Sequence, residues 1–171
     1  MTFHIETPRL ILRDIRIQDA EAMFEMDSNP LVHQYLGNKP VKMIGESLSN
    51  IAFIQKQYLD FGIGRWAVIE KTTGQFMGWA GLKWITEEIN GYRNFYDLGY
   101  RLLPRFWAKG FATEAAKASF EYGFSELKLE NLYAITHIEN LTSKHILQKT
   151  GFSFIETFKY QDFHCNWLKA G

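Results

Sequence analysis

Strand-like and helical segments follow one another along this chain in an order that few folds can accommodate. Two helical segments come early, several short strands follow, and strands then alternate with helices towards the C-terminus. This order implies a mixed sheet with helices on both faces. Helices are predicted at 18–28, 44–61, 110–127 and 140–149, and strands at 10–15, 66–70, 76–82, 92–103, 132–138, 152–158 and 163–168.

The size and composition of the chain fit a single domain, residues 1–171. A chain of 171 residues with 46% hydrophobic content should bury roughly 70% of the surface that its unfolded form exposes. It can therefore support its own hydrophobic core. No internal repeat, linker or low-complexity tract divides the sequence.

Charge, cysteine content and hydropathy argue against several classes of function. The 19 basic residues balance 19 acidic ones, so the diffuse positive field that attracts nucleic acid or anionic membranes is missing. The single cysteine, Cys165, excludes an internal disulfide and a cysteine-based zinc site. No metal-ligand spacing links His33, His137, His145 and His164, and no metal is predicted. No apolar run approaches the roughly 20 residues of a membrane span, and we expect a cytoplasmic protein.

A junction between a strand and a helix is the strongest candidate for a binding site. Residues 96–115 are predicted to form a strand, a loop with small residues and the start of a helix. The unpaired amides and positive dipole end of a helix N-terminus favour a pyrophosphate group. Gly110 and Ala112 would let phosphate oxygens approach the amides. Thr113 would add a hydroxyl at the rim, and Lys109 a charge at the side.

The glycine pattern alone leaves a second interpretation open. Gly110 could simply turn the chain into an ordinary core helix. Neither the phosphate-loop motif G-x-x-x-x-G-K-S/T nor the dinucleotide motif G-x-G-x-x-G occurs in the sequence. Specificity must therefore come from other motifs.

Three motifs in order supply that specificity. The segment W-A-K-G-F-A at 107–112 agrees at its fourth and sixth positions with Q/R-x-x-G-x-G/A, and its extension W-A-K-G-F-A-T-E-A is close to W-G-K-G-Y-A-T-E-A. Downstream, residues 139–152 contain E-N-L-T-S and L-Q-K-T-G-F, which are similar to E-N-x-x-S and L-E-K-x-G-F. The opening T-P-R-L-I-L-R at 7–13 is similar to T-x-R-L-x-L-R.

On these motifs the chain resembles the GCN5-related N-acetyltransferase (GNAT) superfamily, particularly its RimJ and RimL branch. The resemblance implies an α+β fold of three layers, α/β/α, with a twisted, mostly antiparallel sheet, and acetyl-CoA as co-substrate. The cofactor-binding residues that it implies are Leu102, Trp107, Ala108, Lys109, Gly110, Phe111, Ala112, Thr113, Asn140 and Ser143.

Two of these positions carry an expectation of their own. Ala108 stands where a glycine is usual, and alanine should be tolerated there if its backbone torsions are ordinary. Without the resemblance, Asn140 is interpreted as a helix cap, and Gly151 is expected to end the same helix. Capping is compatible with a role in facing the pantetheine arm of CoA.

The chemistry of amide formation directs attention to proton transfer. An alkyl amine with a pKa of about 10 is mostly protonated at neutral pH, so a base must remove its proton. The resemblance places this base at Asp97, acting directly or through water; the alternative is an ordinary exposed strand carboxylate. It also makes the Leu102 amide a donor to the thioester oxygen. For the general acid, Leu147 occupies the position where many members have tyrosine, which leaves Ser143, water or Tyr100.

Two functional hypotheses follow. The first is an N-acetyltransferase that acts on a primary amine, either a protein N-terminal α-amine or a small molecule, by direct attack in a ternary complex. The second is a CoA-binding module with little turnover. No nucleic-acid or membrane partner is expected, and the resemblance permits a homodimer. The acceptor groove is expected near Tyr35 and Leu36, and Trp66, Trp79 and Trp84 are interpreted as packing residues.

Overall fold

In residues 3–171, which the computed structural model describes, eight strands form one sheet and four α-helices pack against it. The strands are β1 (His4–Glu6), β2 (Leu10–Asp14), β3 (Arg65–Glu70), β4 (Phe76–Ile85), β5 (Phe95–Leu102), β6 (Leu132–His137), β7 (Ser153–Tyr160) and β8 (Phe163–Ala170). The helices are α1 (Ala20–Asp27), α2 (Ile44–Phe61), α3 (Phe111–Ser125) and α4 (Leu141–Thr150). None of these helices is long and apolar enough to cross a membrane.

The sheet is mixed and mostly antiparallel. Its strand order is β1-β2-β3-β4-β5-β6-β8-β7. The pair β5–β6 is parallel, and the other neighbouring pairs are antiparallel. The predicted fold class is therefore confirmed, including the change from hairpin-connected strands to alternating strands and helices after β5.

The observed elements differ from the predicted ones mainly at their ends. The first helix starts later than predicted because Ile17–Asp19 forms a short 3-10 turn before α1. The strand predicted from residue 92 begins at Phe95, since Tyr92 pairs with Ile89 in a tight turn instead. Strand β1 was not predicted, because its 3 residues are too short to show an alternating pattern.

Helices cover both faces of the sheet, as predicted. Side chains alternate between the faces along β5. Leu98 belongs to the large core cluster beneath α3, together with Ala115. Asp97 lies on the opposite face, where Met23 of α1 and Ile54 of α2 form a second cluster with residues of β3. The two faces of β5 therefore meet different helices, with α3 on one side and α1 and α2 on the other.

Candidate active site

The parallel strands β5 and β6 separate towards their C-terminal ends. Their register contains a single pair, Asp97 with Tyr133, although β5 continues to Leu102 and β6 to His137. Beyond that pair, β5 bonds only to β4, and β6 only to β8. A wedge-shaped opening, the β5–β6 gap, therefore lies in the middle of the sheet.

Backbone amides of β5 point into the β5–β6 gap. Leu103 donates its N–H to the Met77 carbonyl of β4 at 2.8 Å, and residues that bond to one antiparallel neighbour alternate along a strand. The N–H groups of Tyr100 and Leu102 therefore point away from β4, towards β6. On the same edge, the Leu102 carbonyl accepts a hydrogen bond from Trp107 Nε1 at 2.8 Å. The Leu102 N–H therefore faces the gap, and its role as donor to the thioester oxygen stays a prediction.

The predicted phosphate loop leads directly into α3. Gly110 is the N-cap residue and has a left-handed φ of 81°, which glycine adopts without strain. The Glu114 N–H donates to the Gly110 carbonyl at 3.1 Å, beginning the helical hydrogen-bond pattern. The amides of Phe111, Ala112 and Thr113 therefore have no partner within the helix. They form a set of donors suited to a pyrophosphate group.

The condition stated for Ala108, ordinary backbone torsions, is not met. Its φ is 58°, in the left-handed region, which costs an L-residue roughly 1–2 kcal/mol. Loop closure imposes this conformation, since the chain must turn between the buried Phe106 and the start of α3 within a few residues. Trp107 and Lys109, on either side of Ala108, are exposed at the loop surface.

The N-terminal motif anchors the phosphate loop. Glu114, in the first turn of α3, accepts hydrogen bonds from Thr7 Oγ1 at 2.7 Å, from the Arg9 backbone at 2.9 Å and from Arg9 Nε at 2.7 Å. Arg9 also donates to the Lys109 carbonyl at 2.9 Å, and its guanidinium lies over the Phe111 ring. Sequence reasoning assigned no role to Arg9 or Glu114, although an acidic residue in a first helical turn was an available signal.

Asp97 is buried and paired with an arginine. Arg65 Nη2 lies 2.5 Å from Asp97 Oδ2, and Arg65 Nη1 donates to the Asp97 carbonyl at 2.8 Å. The two side chains are only 11% (Arg65) and 13% (Asp97) exposed, so the alternative of an ordinary exposed carboxylate is wrong. Burial raises the pKa of Asp97 above its ordinary value, although Arg65 and Lys83 oppose that rise. Oδ1 makes no hydrogen bond with the described residues and is the oxygen available to take a proton.

Gly99 makes room for this ion pair. A Cβ at position 99 would lie 2.8 Å from Nη2 of Arg65. A side chain there would therefore push the guanidinium away from Asp97. Sequence reasoning missed Arg65, because it belongs to β3, two strands away from Asp97 in the sheet.

Tyr100 and Ser143 join β5 to α4. The Tyr100 hydroxyl lies 2.8 Å from Ser143 Oγ and 3.1 Å from the Ser143 carbonyl, to which it donates. Burial raises the pKa of Tyr100 to about 12, although the Ser143 hydrogen bond opposes that rise. The phenol is therefore protonated at neutral pH. Asn140 caps α4, since its side-chain oxygen accepts the Ser143 N–H at 3.1 Å, whereas Leu147 is buried in the core and supplies no acid.

A pocket, called here the α1–α2 pocket, opens on the face covered by those two helices. It has a volume of about 210 Å³, and Arg65, the partner of Asp97, forms part of its wall. Trp79 also lines it, while packing against both core clusters as predicted. Trp66 is buried in the core, as predicted.

Tyr35 and Leu36, near which the acceptor groove was expected, do not line the α1–α2 pocket. Tyr35 lies against His137 instead, with 5.6 Å between the ring centres. His33 Nε2 lies 2.6 Å from the Asp27 carbonyl, within the fold. Among residues 3–171, no group of three or more His, Cys, Asp and Glu side chains could hold a metal ion.

Comparisons with known proteins identify the family. Residues 9–153 match the sequence model of a family described as an acetyltransferase (GNAT) domain. The uncharacterized N-acetyltransferase YoaA of Bacillus subtilis (strain 168) is 32% identical over 161 residues, which cover 92% of this chain and 89% of YoaA. Spermidine N(1)-acetyltransferase of Escherichia coli (strain K12) is 30% identical over 142 residues, covering 83% of this chain and 72% of that enzyme.

A solved structure shows the same fold. The apo form of RimL, a ribosomal L7/L12 alpha-N-protein acetyltransferase, superposes with a TM-score of 0.81 at 14% identity, covering 99% of this chain and 94% of RimL. At that identity the likeness concerns the fold alone. The family match and the identity to YoaA extend over most of the sequence. The chain therefore belongs to the GNAT acetyltransferase domain family and is an acetyl-CoA-dependent N-acetyltransferase.

Proposed function

We propose that this chain transfers the acetyl group of acetyl-CoA directly to a primary amine, with both substrates bound at once. The acceptor is a protein N-terminal α-amine or the amine of a small molecule. The observation that carries the proposal is the β5–β6 gap. Its edge presents the amides of Tyr100 and Leu102, and Asp97 lies at its closed end, with its carboxyl paired to Arg65 on the face covered by α1 and α2.

The residues around the start of α3 fit the CoA part of the substrate. The free amides of residues 111–113 are donors for a pyrophosphate, and the left-handed Gly110 keeps the approach to them open. A Cβ at Gly110 would have only Arg9 Nη2 within contact distance, at 3.2 Å, so the glycine also leaves space beside this guanidinium. Trp107 and Lys109 would contact the substrate from the exposed rim. Acetyl-CoA supplies the activated acetyl thioester.

The amine nitrogen attacks the thioester carbonyl carbon, forming the C–N bond of the amide, and the C–S bond breaks. Asp97 takes the proton that the amine loses, either directly or through water. The amides of Tyr100 and Leu102 stabilise the negative charge that develops on the carbonyl oxygen. The sulfur leaves as a thiolate and takes a proton from the Tyr100 hydroxyl, which Ser143 holds in place.

Calorimetric titration with acetyl-CoA, and with dephospho-CoA for comparison, tests the binding site. We expect the wild type to bind and Gly110→Glu to lose binding, because the new carboxylate would repel the pyrophosphate. Gly74→Glu is a matched control, since Gly74 is also left-handed, at φ 72°, with open space around it, in the turn between β3 and β4. Equal loss in the two variants, or full binding to both, would contradict the proposed site.

Free-thiol release in the presence of a panel of amines tests turnover. Release that depends on the amine supports direct transfer, and intersecting initial-rate lines for the two substrates would support a ternary complex. Tight binding of acetyl-CoA without amine-dependent release would instead favour the second candidate, a CoA-binding module with little turnover. The pairing of Asp97 with Arg65 is the observation that keeps this candidate in play.

We further propose a RimJ/RimL-like enzyme of the cytoplasm. The three sequence motifs support the branch, and Cys165, a buried and free thiol, suits a reducing compartment. The homodimer that the resemblance permits stays a prediction, which sedimentation equilibrium can measure.

A further inference from the structure

The α1–α2 pocket contains more positive than negative side chains. Arg65, Lys83 and Arg101 line it, and Asp27 is the only carboxylate among its lining residues. Asp27 Oδ1 pairs with Arg101 Nη1 at 2.9 Å, and Arg65 pairs with Asp97. Lys83 forms no ion pair within residues 3–171. One positive charge therefore stays unmatched at the wall of the pocket.

Lys83 lies on the same face of the sheet as the proposed base. It is the register partner of Asp97 across the β4–β5 pair, so the two side chains project from neighbouring points of that face. The Lys83 ammonium lies 5.5 Å from the centre of the Phe53 ring. Trp79 lies on the same strand and the same face as Lys83, and its ring centre is 5.2 Å from Cζ of Arg65. The unmatched charge thus faces aromatic walls close to the place where an amine must be deprotonated.

Gln57 contributes an acceptor that lacks a partner. Its side-chain oxygen is buried and makes no hydrogen bond with the described residues, and Gln57 lines the α1–α2 pocket. Buried polar atoms are rarely left unpaired, because the lost hydration is not recovered. A Cβ at Gly64 would lie 3.2 Å from this oxygen, so it lies beside the turn between α2 and β3. Among the residues that line the pocket, Lys83 is therefore the one whose charge a bound ligand can neutralise.

We infer that the acceptor amine also carries a carboxylate, which Lys83 binds in the α1–α2 pocket while the amine reaches Asp97. This inference rests on the acetyl transfer proposed above. A polyamine would bring several positive charges to a pocket that already holds an unmatched one, and such like-charge contacts are unfavourable. The chain thus differs in its acceptor from the spermidine N(1)-acetyltransferase to which it is similar. The carboxylate belongs either to a free amino acid or to an acidic side chain near a peptide N-terminus.

Acceptor pairs that differ in one charge test the inference. Each free amino acid is compared with its carboxamide, which keeps the size and removes the charge. Peptides with aspartate or glutamate after the first residue are compared with their asparagine or glutamine versions, and spermidine is included. For the free amino acids, the acidic peptides or both, we expect kcat/KM of the carboxylate form to exceed that of its amide form by about tenfold or more. Spermidine should be the poorest acceptor. The pair type that shows the preference identifies the source of the carboxylate.

Variants of Lys83 locate the charge that is responsible. Lys83→Gln should reduce the preference to about unity, and Lys83→Glu should reverse it, whereas calorimetric binding of acetyl-CoA stays unchanged in both. Lys117→Gln, at an exposed position of α3, is the control and should keep the preference.

A wild-type preference for the carboxamides or for spermidine would overturn this inference and leave acetyl transfer intact. A carboxylate preference that survives Lys83→Gln would overturn it equally. Failure to acetylate every amine, with acetyl-CoA still bound, would overturn the proposed function itself and the acceptor inference with it.

Discussion

Arg9 and Glu114 lie 105 positions apart in the sequence, yet Arg9 Nε lies 2.7 Å from Glu114 Oε2. The pair ties the segment before β2 to the first turn of α3, where the predicted phosphate loop ends. A lone carboxylate so close to a helix N-terminus would compete with phosphate for the dipole and repel it. Arg9 neutralises that charge and at the same time holds the Lys109 carbonyl. The ion pair thus supports the loop without making the site negative.

Replacing Glu114 with glutamine should weaken the loop. Glu114→Gln keeps the size of the side chain but releases the Arg9 guanidinium, so we expect KM for acetyl-CoA to rise about fivefold with little change in kcat. The free energy of unfolding should fall by about 1 kcal/mol, because the Arg9 side chain is close to half exposed and solvent screens the pair. Initial rates and urea denaturation measure the two effects. Glu121→Gln, at an exposed position of α3, is the control, and equal changes in both variants would contradict the role of the pair.

The stability difference between the wild type and Glu114→Gln should depend on pH. Partial burial alone would raise the pKa of Glu114, but the hydrogen bonds from Thr7 and Arg9 outweigh it and lower the pKa below 4.5. Ionised Glu114 therefore stabilises the fold above its unfolded-state pKa, and this stabilisation is lost as the pH falls through the lower folded-state value. The Tm difference between wild type and Glu114→Gln should be full at about pH 6 and shrink towards about pH 3. A Tm difference that is constant over this range would contradict the assignment.

Local residue chemistry predicted the elements that frame the site. Gly110 starts α3 and Gly62 ends α2 with left-handed torsions, and Asn140 caps α4. Such features depend on a residue and its immediate neighbours, so residue types reveal them. Arg65 and Lys83 were missed for the opposite reason. They come from different strands, and the register that brings them to one pocket is determined by the whole sheet.

Neither the β5–β6 gap nor the left-handed conformation of Ala108 could be predicted from the sequence pattern. The gap depends on β6 bonding to β8 rather than following β5 to its end, which is a tertiary choice. Alanine by itself avoids left-handed torsions, so the residue type at position 108 gave no sign of the observed conformation. Closure of the short loop before α3 overrides this preference, as tertiary context often overrides local propensity.

Removing the side chain of Ala108 should therefore stabilise the protein. Ala108→Gly relieves the left-handed strain at φ 58°, worth roughly 1–2 kcal/mol, while the greater freedom of glycine in the unfolded chain costs about 0.4–1 kcal/mol. We expect the free energy of unfolding to rise by up to about 1 kcal/mol. Ala52→Gly, at an exposed position within α2, should instead lower it by about 0.5–1 kcal/mol. Urea denaturation measures both, and a loss of stability in Ala108→Gly would contradict the strain.

Asp97→Asn should abolish most of the turnover. The substitution removes the proton acceptor, so we expect kcat to fall about 100-fold or more while acetyl-CoA still binds. The acidic limb of the wild-type pH profile, which a raised Asp97 pKa would govern, should disappear as well. The variant leaves the Arg65 charge unpaired, at a cost of about 3–5 kcal/mol, so calorimetric binding of acetyl-CoA must first show that it is folded. Asp162→Asn, at an exposed position, is the control, and wild-type kcat in Asp97→Asn would exclude Asp97 as the base.

Tyr100→Phe separates a chemical role of the hydroxyl from a structural one. The Tyr100 hydroxyl holds Ser143 at 2.8 Å, and with a pKa of about 12 it keeps its proton throughout the neutral range. If it donates that proton to the leaving sulfur, its loss should lower kcat by about tenfold or more. KM for acetyl-CoA should stay within about twofold, because the backbone amide that faces the gap is unchanged.

Tyr96→Phe is the matched control for this substitution. Tyr96 lies on the same face of β5, and its hydroxyl makes no hydrogen bond with the described residues, so the variant should keep the wild-type kcat. Loss of the Ser143 contact alone would lower the free energy of unfolding of Tyr100→Phe by about 1 kcal/mol. That loss of stability with an unchanged kcat would assign Tyr100 to holding α4 against β5. In that case water would supply the proton for the leaving sulfur. Ser143 would not supply it, because in Tyr100→Phe it has lost the hydroxyl that orients it.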